Sequence, residues 1–346
     1  MDDEENGTAV KSRKTGAAAG GGAVRKVKQA SFLDARDYRL LYELDVDCRQ
    51  PLTKLAAKLG ISKQRVAYRM ARLEENAIIL GYRTMIDSSR LGFLQIRVYV
   101  RLRRANEAVT RKILDFLKAQ KKVWALVRIT GPSDFVFVVG IKRPVEFHAL
   151  WRQVEDKFKQ YIAGAKISIY SPVYHFAKAY LIGITDETRP RVIGGEPVEV
   201  DELDLKILDL ISANARLSAV EIASKTGVDP QTVSSRIRKL QDTGVIQGYR
   251  ASIDVDKLGF EFYKVDFALA STVDREKIRE YCHLNSNIYQ VNETIGGADL
   301  EVELHVRSLK ELLEKIEGLK NAFPNTIESF EQYRLWGEEK MVYFPE

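Results

Sequence analysis

The chain has 346 residues, with 54 Lys+Arg against 48 Asp+Glu for a net charge of +6, and 45% of it is hydrophobic, enough for two to four folded domains with real cores. Its two cysteines, Cys48 and Cys282, exclude a disulfide framework or a cysteine metal cluster, so neither metal nor cofactor is expected and both read as inert thiols of a reducing cytoplasm. No stretch approaches the ~18 apolar residues of a membrane span, and the N-terminus lacks the hydrophobic core of a signal peptide.

The chain repeats itself. Residues Asp34 to Phe93 align without a gap on Asp201 to Phe260, each position recurring 167 later, with 20 of 60 identical. A turn then recurs at a shift of 165, Gly131-Pro132-Ser133-Asp134 against Gly296-Gly297-Ala298-Asp299. Two copies of one two-part unit are therefore expected.

In chain order, residues 1–31 read as a disordered tail, since they carry almost no large apolar side chains. Their basic residues Lys11, Arg13, Lys14, Arg25, Lys26 and Lys28 are placed either to rest on phosphates or to act as a solubilising tail. Residues 32–93 follow as a helical unit. Asp34 is a helix cap ahead of Leu40, Leu41 and Leu44, a second helix at about 51–59 ends at Gly60, and Ser62 opens a third. Helix, short helix, glycine turn and longer helix form a helix-turn-helix.

On the third helix Val66, Met70 and Leu73 share the face that buries. Lys63, Gln64, Arg65, Tyr68, Arg69 and Arg72 are the candidate DNA-binding residues. Gln pairs in bidentate fashion with adenine and Arg with guanine, whereas Arg69, at the edge of the buried stripe, reads as a phosphate or helix-packing residue. Ile79 to Ile86 reads as part of a two-stranded wing from which Arg83 reaches the DNA backbone or pairs with a local aspartate.

Residues 94–176 alternate as strand 95–103, helix 107–119, strands 122–130 and 134–141, helix 144–161 and strand 167–176, the βαββαβ order of a ferredoxin-like domain. Residues 177–198 read as a linker. Residues 199–260 repeat the winged helix-turn-helix: Asp201 caps the first helix, a second at about 218–226 ends at Gly227, and Asp229 with Pro230 opens the third. Its candidate DNA-binding residues are Gln231, Thr232, Ser235, Arg236, Arg238 and Lys239, with Arg250 on the wing. This second helical unit is net acidic, 8 Lys+Arg against 10 Asp+Glu, which leaves its DNA contact open. Residues 261–346 repeat the ferredoxin-like order, and the fold class is α+β.

The two ferredoxin-like modules differ in charge: 16 basic against 6 acidic residues over 94–176, and 10 against 17 over 261–346. Opposite charge on homologous surfaces favours pairing between them, and a short linker raises their effective concentration.

The order of elements, the G-x-x-D turns, Leu-Gly-Phe after the wing and Gly-Tyr-Arg within it together resemble the Lrp/AsnC (feast/famine) transcriptional regulators, over nearly all of 32–176 and 199–335. The resemblance implies sequence-specific binding of double-stranded DNA, no catalytic residues, and a second module that assembles subunits and binds an amino acid or similar effector near the turn. Carried over, Gly131, Asp134, Gly296 and Asp299 are the effector candidates, with turn geometry as the competing role for each. Because both units lie on one chain, an intrachain pseudo-dimer is expected, with room for a higher homo-oligomer. Two other functions stay in view: a siroheme-decarboxylase-like enzyme on the same scaffold, against which no shared histidine stands in the repeat, and a low-specificity DNA-compacting protein.

Overall fold

The computed structural model describes residues 32–185, 188–271, 273–342 and 344, so the expected N-terminal tail lies outside the described residues. The first helical unit contains α1 (Ala35–Val46), α2 (Leu52–Leu59), α3 (Lys63–Glu75) and strand β1 (Ile79–Ile86). The Asp34 carboxylate accepts from the Asp37 backbone N–H and Asp37 reciprocates, a capping box that fixes the start of α1. Gly60, at φ 64°, ends α2 in the left-handed conformation that lets the chain turn into α3.

The first ferredoxin-like module contains β2 (Leu94–Leu102), α4 (Glu107–Lys118), β3 (Val123–Thr130), β4 (Phe135–Ile141), α5 (Pro144–Phe158) and β5 (Ile162–His175). The expected linker is more structured than its composition suggests. Ala179, Tyr180 and Leu181 are buried in the core of the helical units, and β6 (Arg191–Ile193) pairs with β5.

The second copy supplies α6 (Glu202–Ala213), α7 (Ala219–Thr226), α8 (Pro230–Asp242) and β7 (Ile246–Ile253). Its ferredoxin-like module contains β8 (Glu261–Leu269), α9 (Arg275–Leu284), β9 (Ile288–Ile295), β10 (Leu300–Val306), α10 (Leu309–Ala322) and β11 (Ile327–Met341).

The copies are joined at two levels. The wing strands do not close as hairpins within their own copies: β1 pairs antiparallel with β7, placing Arg83 opposite Arg250. Leu40, Leu41, Val66 and Leu73 of copy one then share one core with Ile207, Ile211, Val233 and Leu240 of copy two. Below this ribbon, each module's last strand pairs with its own first strand and with the partner module's second strand, β5 with β2 and β9, and β11 with β8 and β3. The strand order β2-β4-β3-β11-β8-β10-β9-β5, closed by β5 on β2, is a ring of eight strands made from both copies.

Side chains alternate across this ring. Val98, Val100 and Phe137 face the helices of copy one, and Val265, Phe267 and Val302 face those of copy two. The opposite face carries Tyr99, Ile129, Val136 and Tyr333, with Tyr99 and Tyr333 stacked at 5.0 Å. It also holds a buried ion network. Arg97 of copy one pairs with Glu301 of copy two and donates to the Tyr170 hydroxyl at 2.7 Å. Lys166 of copy one reaches Asp266 of copy two at 3.1 Å, and Lys264 reaches Asp266 and, at 3.3 Å, Glu301. Part of the charge asymmetry seen in the sequence thus lies inside the interface between the copies.

Candidate nucleic-acid interface and cavities

Capping sets the start of each candidate reading helix. The Ser62 hydroxyl accepts from the Arg65 N–H, and Asp229 accepts from the N–H groups of Gln231 and Thr232 ahead of Pro230. Val66, Met70 and Leu73, and Val233, Ile237 and Leu240, are buried as their spacing predicts. Lys63, Gln64, Arg65 and Tyr68 are exposed on α3, Tyr68 at 67%. On α8, Gln231, Ser235 and Arg238 are exposed likewise. Among the described residues, the side chains of Lys63, Gln64, Arg65, Ser235 and Arg238 form no hydrogen bond or ion pair within the chain.

Five other predicted DNA contacts have partners within the fold. Arg69 binds Asp34 and Asp37, Arg72 binds Asp37, and Arg236 binds Asp201 and Asp204, tying each reading helix to the first helix of its copy. The Arg69 guanidinium holds the Asp34 carboxyl down at about 2. Thr232 is drawn into the helix cap, its hydroxyl on Asp229. Lys239, largely exposed, approaches Asp204 at 3.5 Å.

Arg250 is a correction. Only 8% exposed, it makes a bidentate pair with Asp45 and donates to the Phe176 carbonyl, so it holds the copies together and does not reach DNA from a wing. Its twin Arg83 is only half-buried and donates to the Ala213 carbonyl of copy two at 2.5 Å. The difference follows from the repeat: copy two has Ser212 where copy one has Asp45.

Lys178 joins Arg250 on the same Asp45 carboxylate, at 2.8 Å. Burial by itself would raise the Asp45 pKa, but the two cations outweigh it and hold it below the ordinary carboxylate range. Burial, with Arg250 adding to it, brings Lys178 down to about 8. This cluster joins α1, the linker and β7, and sequence reasoning missed it because Asp45 occurs in one copy only.

Beside the cluster lies a cavity of about 370 Å³ between the β1·β7 ribbon and the strand ring. Arg83, His175, Lys178 and Arg250 line it with apolar groups that include Met85 and Trp124. Burial pushes His175 down to about 3, so it is neutral at physiological pH.

At the predicted effector turns the aspartates close strand ends. Asp134 accepts from the Leu102 N–H and Asp299 from the Leu269 N–H. A Cβ on Gly131 would stand 2.5 Å from the Gln332 carbonyl oxygen, and one on Gly296 would stand 3.1 Å from that of Ile167, so both glycines admit the crossing strand of the other copy. A cavity of about 270 Å³ at the second turn is lined by Asp299, Gly297, Lys166, Asp266 and Glu331. Both cysteines are buried, their thiols pushed up to about 12 by desolvation. Among the described residues, no group of three or more His, Cys, Asp or Glu side chains is placed to hold a metal ion, and no helix is long and apolar enough to cross a membrane.

Residues 33–74 match the AsnC-type helix-turn-helix domain, and residues 200–247 match a winged helix-turn-helix DNA-binding domain. An uncharacterized HTH-type transcriptional regulator of Pyrococcus furiosus is 35% identical over 118 residues, covering 33% of this chain and 78% of that protein. A second from the same organism is 32% identical over 148 residues, covering 40% of this chain and 96% of its own length. The proline dehydrogenase transcriptional activator of Rhodobacter capsulatus is 35% identical over 109 residues, 31% of this chain and 71% of that protein. Over 90% of this chain and 94% of the other, the fold is similar to that of the siroheme decarboxylase NirDL, with a TM-score of 0.60 at 14% identity, a likeness of fold alone. With both helix-turn-helix units matched and its relatives covered over most of their length, the chain belongs to the Lrp/AsnC family of DNA-binding transcriptional regulators, with the family's unit present twice.

Proposed function

We propose that one polypeptide does the work of a dimer, presenting α3 and α8 as two unlike reading helices to an asymmetric operator. The observation that carries this is the β1·β7 ribbon with its shared core, which binds the two helix-turn-helix units into one body while leaving Gln64, Arg65 and Tyr68 on one helix, and Gln231, Ser235 and Arg238 on the other, facing outward. Half-sites are expected about one helical turn apart or a multiple of it.

The test is selection of bound duplexes from a random pool at near-physiological salt, which suppresses purely electrostatic retention. Two unlike half-sites are expected. Arg65→Ala is expected to relax one half-site and Arg238→Ala the other, each by about 1–3 kcal/mol of discrimination. A perfect palindrome would overturn the proposal, and retention of DNA without any enriched motif would indicate a compacting protein.

We propose the copy-two turn for an amino acid effector, in a cavity where Asp299 and Glu331 would meet the ammonium and Lys166, which also pairs with Asp266, the carboxylate. The likeness to the decarboxylase brings no reaction to this chain.

A further inference from the structure

The cavity beneath the ribbon is distinct from both effector turns, and its walls have a definite chemistry. Three cations, Arg83, Lys178 and Arg250, line it, with no carboxylate among the described lining residues. Asp45 stands behind Lys178 and Arg250 and offsets one of their two charges. Glu338, whose burial raises its pKa, lies within the field of Arg83. Among the described residues the cations outnumber the acids, around a chamber whose exposed lining is mostly apolar. Its volume of about 370 Å³ falls at the lower end of small-molecule pockets.

From this we infer that the cavity is a binding site for a small amphipathic monocarboxylate without an ammonium group, an aryl or branched-chain oxo acid. The carboxylate meets the cationic wall, where charge-assisted hydrogen bonds are at their strongest in a partly desolvated site. The apolar body packs among Met85, Trp124 and Met341. Among the described lining residues an α-amino acid of the same shape finds no carboxylate for its ammonium group, and an unpaired ammonium is costly. The site also touches both wing strands and, through Asp45, the first helix of copy one. Any effect of the ligand on DNA rests on the regulator reading above.

The test uses the full chain with 8-anilinonaphthalene-1-sulfonate, an amphipathic monoanion that brightens in apolar surroundings, in an assay free of DNA. One saturable probe per chain is expected, displaced by phenylpyruvate at concentrations at least tenfold below those needed with L-phenylalanine. Two variants are measured alongside. Arg83→Gln removes a wall cation, and Ser252→Phe fills the chamber from β7 without touching a charge; each is expected to weaken the probe at least tenfold. Absence of saturable binding, equal displacement by the two acids, or unchanged probe affinity in both variants would overturn the site. Because DNA binding is read separately, failure of the site and failure of the operator reading are distinguishable.

Discussion

Gly131 shows how one residue type serves two purposes that a sequence cannot separate. The resemblance assigns the turn to a ligand, whereas the structure places the Gln332 carbonyl oxygen where a side chain would begin and holds φ at 138°. Gly131→Ala is therefore expected to cost about 1–3 kcal/mol from steric and backbone strain, read in urea unfolding with no ligand present. A stable variant would return the glycine to the ligand role. Arg83 and Arg250 teach the same lesson from the other side. They are identical in the repeat and lie opposite each other on the ribbon, yet their partners differ because Asp45 has no acidic twin. Neither the pairing of those strands nor the burial of Arg250 is encoded within a window of neighbouring residues.

At the scale of elements, most of the chain was legible. The capping boxes at Asp34 and Asp201, the glycine ends of α2 and α7, and the buried faces of α3 and α8 follow from local chemistry and stand where periodicity put them. The last strands did not. β5 runs as Ile162–His175 against the expected 167–176, and β11 runs as Ile327–Met341, because each is held on both sides by strands from different copies. From its place at the edge of the buried stripe Arg69 is a phosphate or helix-packing residue, and its pairs with Asp34 and Asp37 give it the packing role. Asp37 is fully buried against Arg69 and Arg72, so Asp37→Asn is expected to destabilise the fold by about 1–3 kcal/mol, since it leaves Arg72 without its carboxylate and Arg69 with Asp34 alone. The selected DNA motif should stay the same; a changed motif would make these arginines part of the reading surface.

For the whole molecule, the question is whether two copies behave as two domains or one. The ring of eight strands closes through two seams between the copies, β3 on β11 and β5 on β9, and the helical units share one core, so neither copy keeps all its contacts if the other unfolds. Equilibrium unfolding in urea is expected to show one cooperative transition by both tryptophan fluorescence and circular dichroism. Two separated transitions would mean that the interface contributes little. This closure was the least legible part of the chain, since only the opposite charges of the two modules hinted at it.

The ring has a consequence for how such a chain can change. In a symmetric pair every substitution at the interface arrives twice, so an acid near the axis meets its own copy and is rejected by repulsion. Here Glu301 meets Arg97, and Asp266 meets Lys166, from positions that no longer answer to themselves. A copy-two sheet closed on its own twin would gather two sets of Glu301, Glu303 and Asp266 around only two Lys264 side chains. With the halves diverged in charge, cutting the chain is expected to yield partners that recognise each other, and a copy-two half that resists pairing with itself.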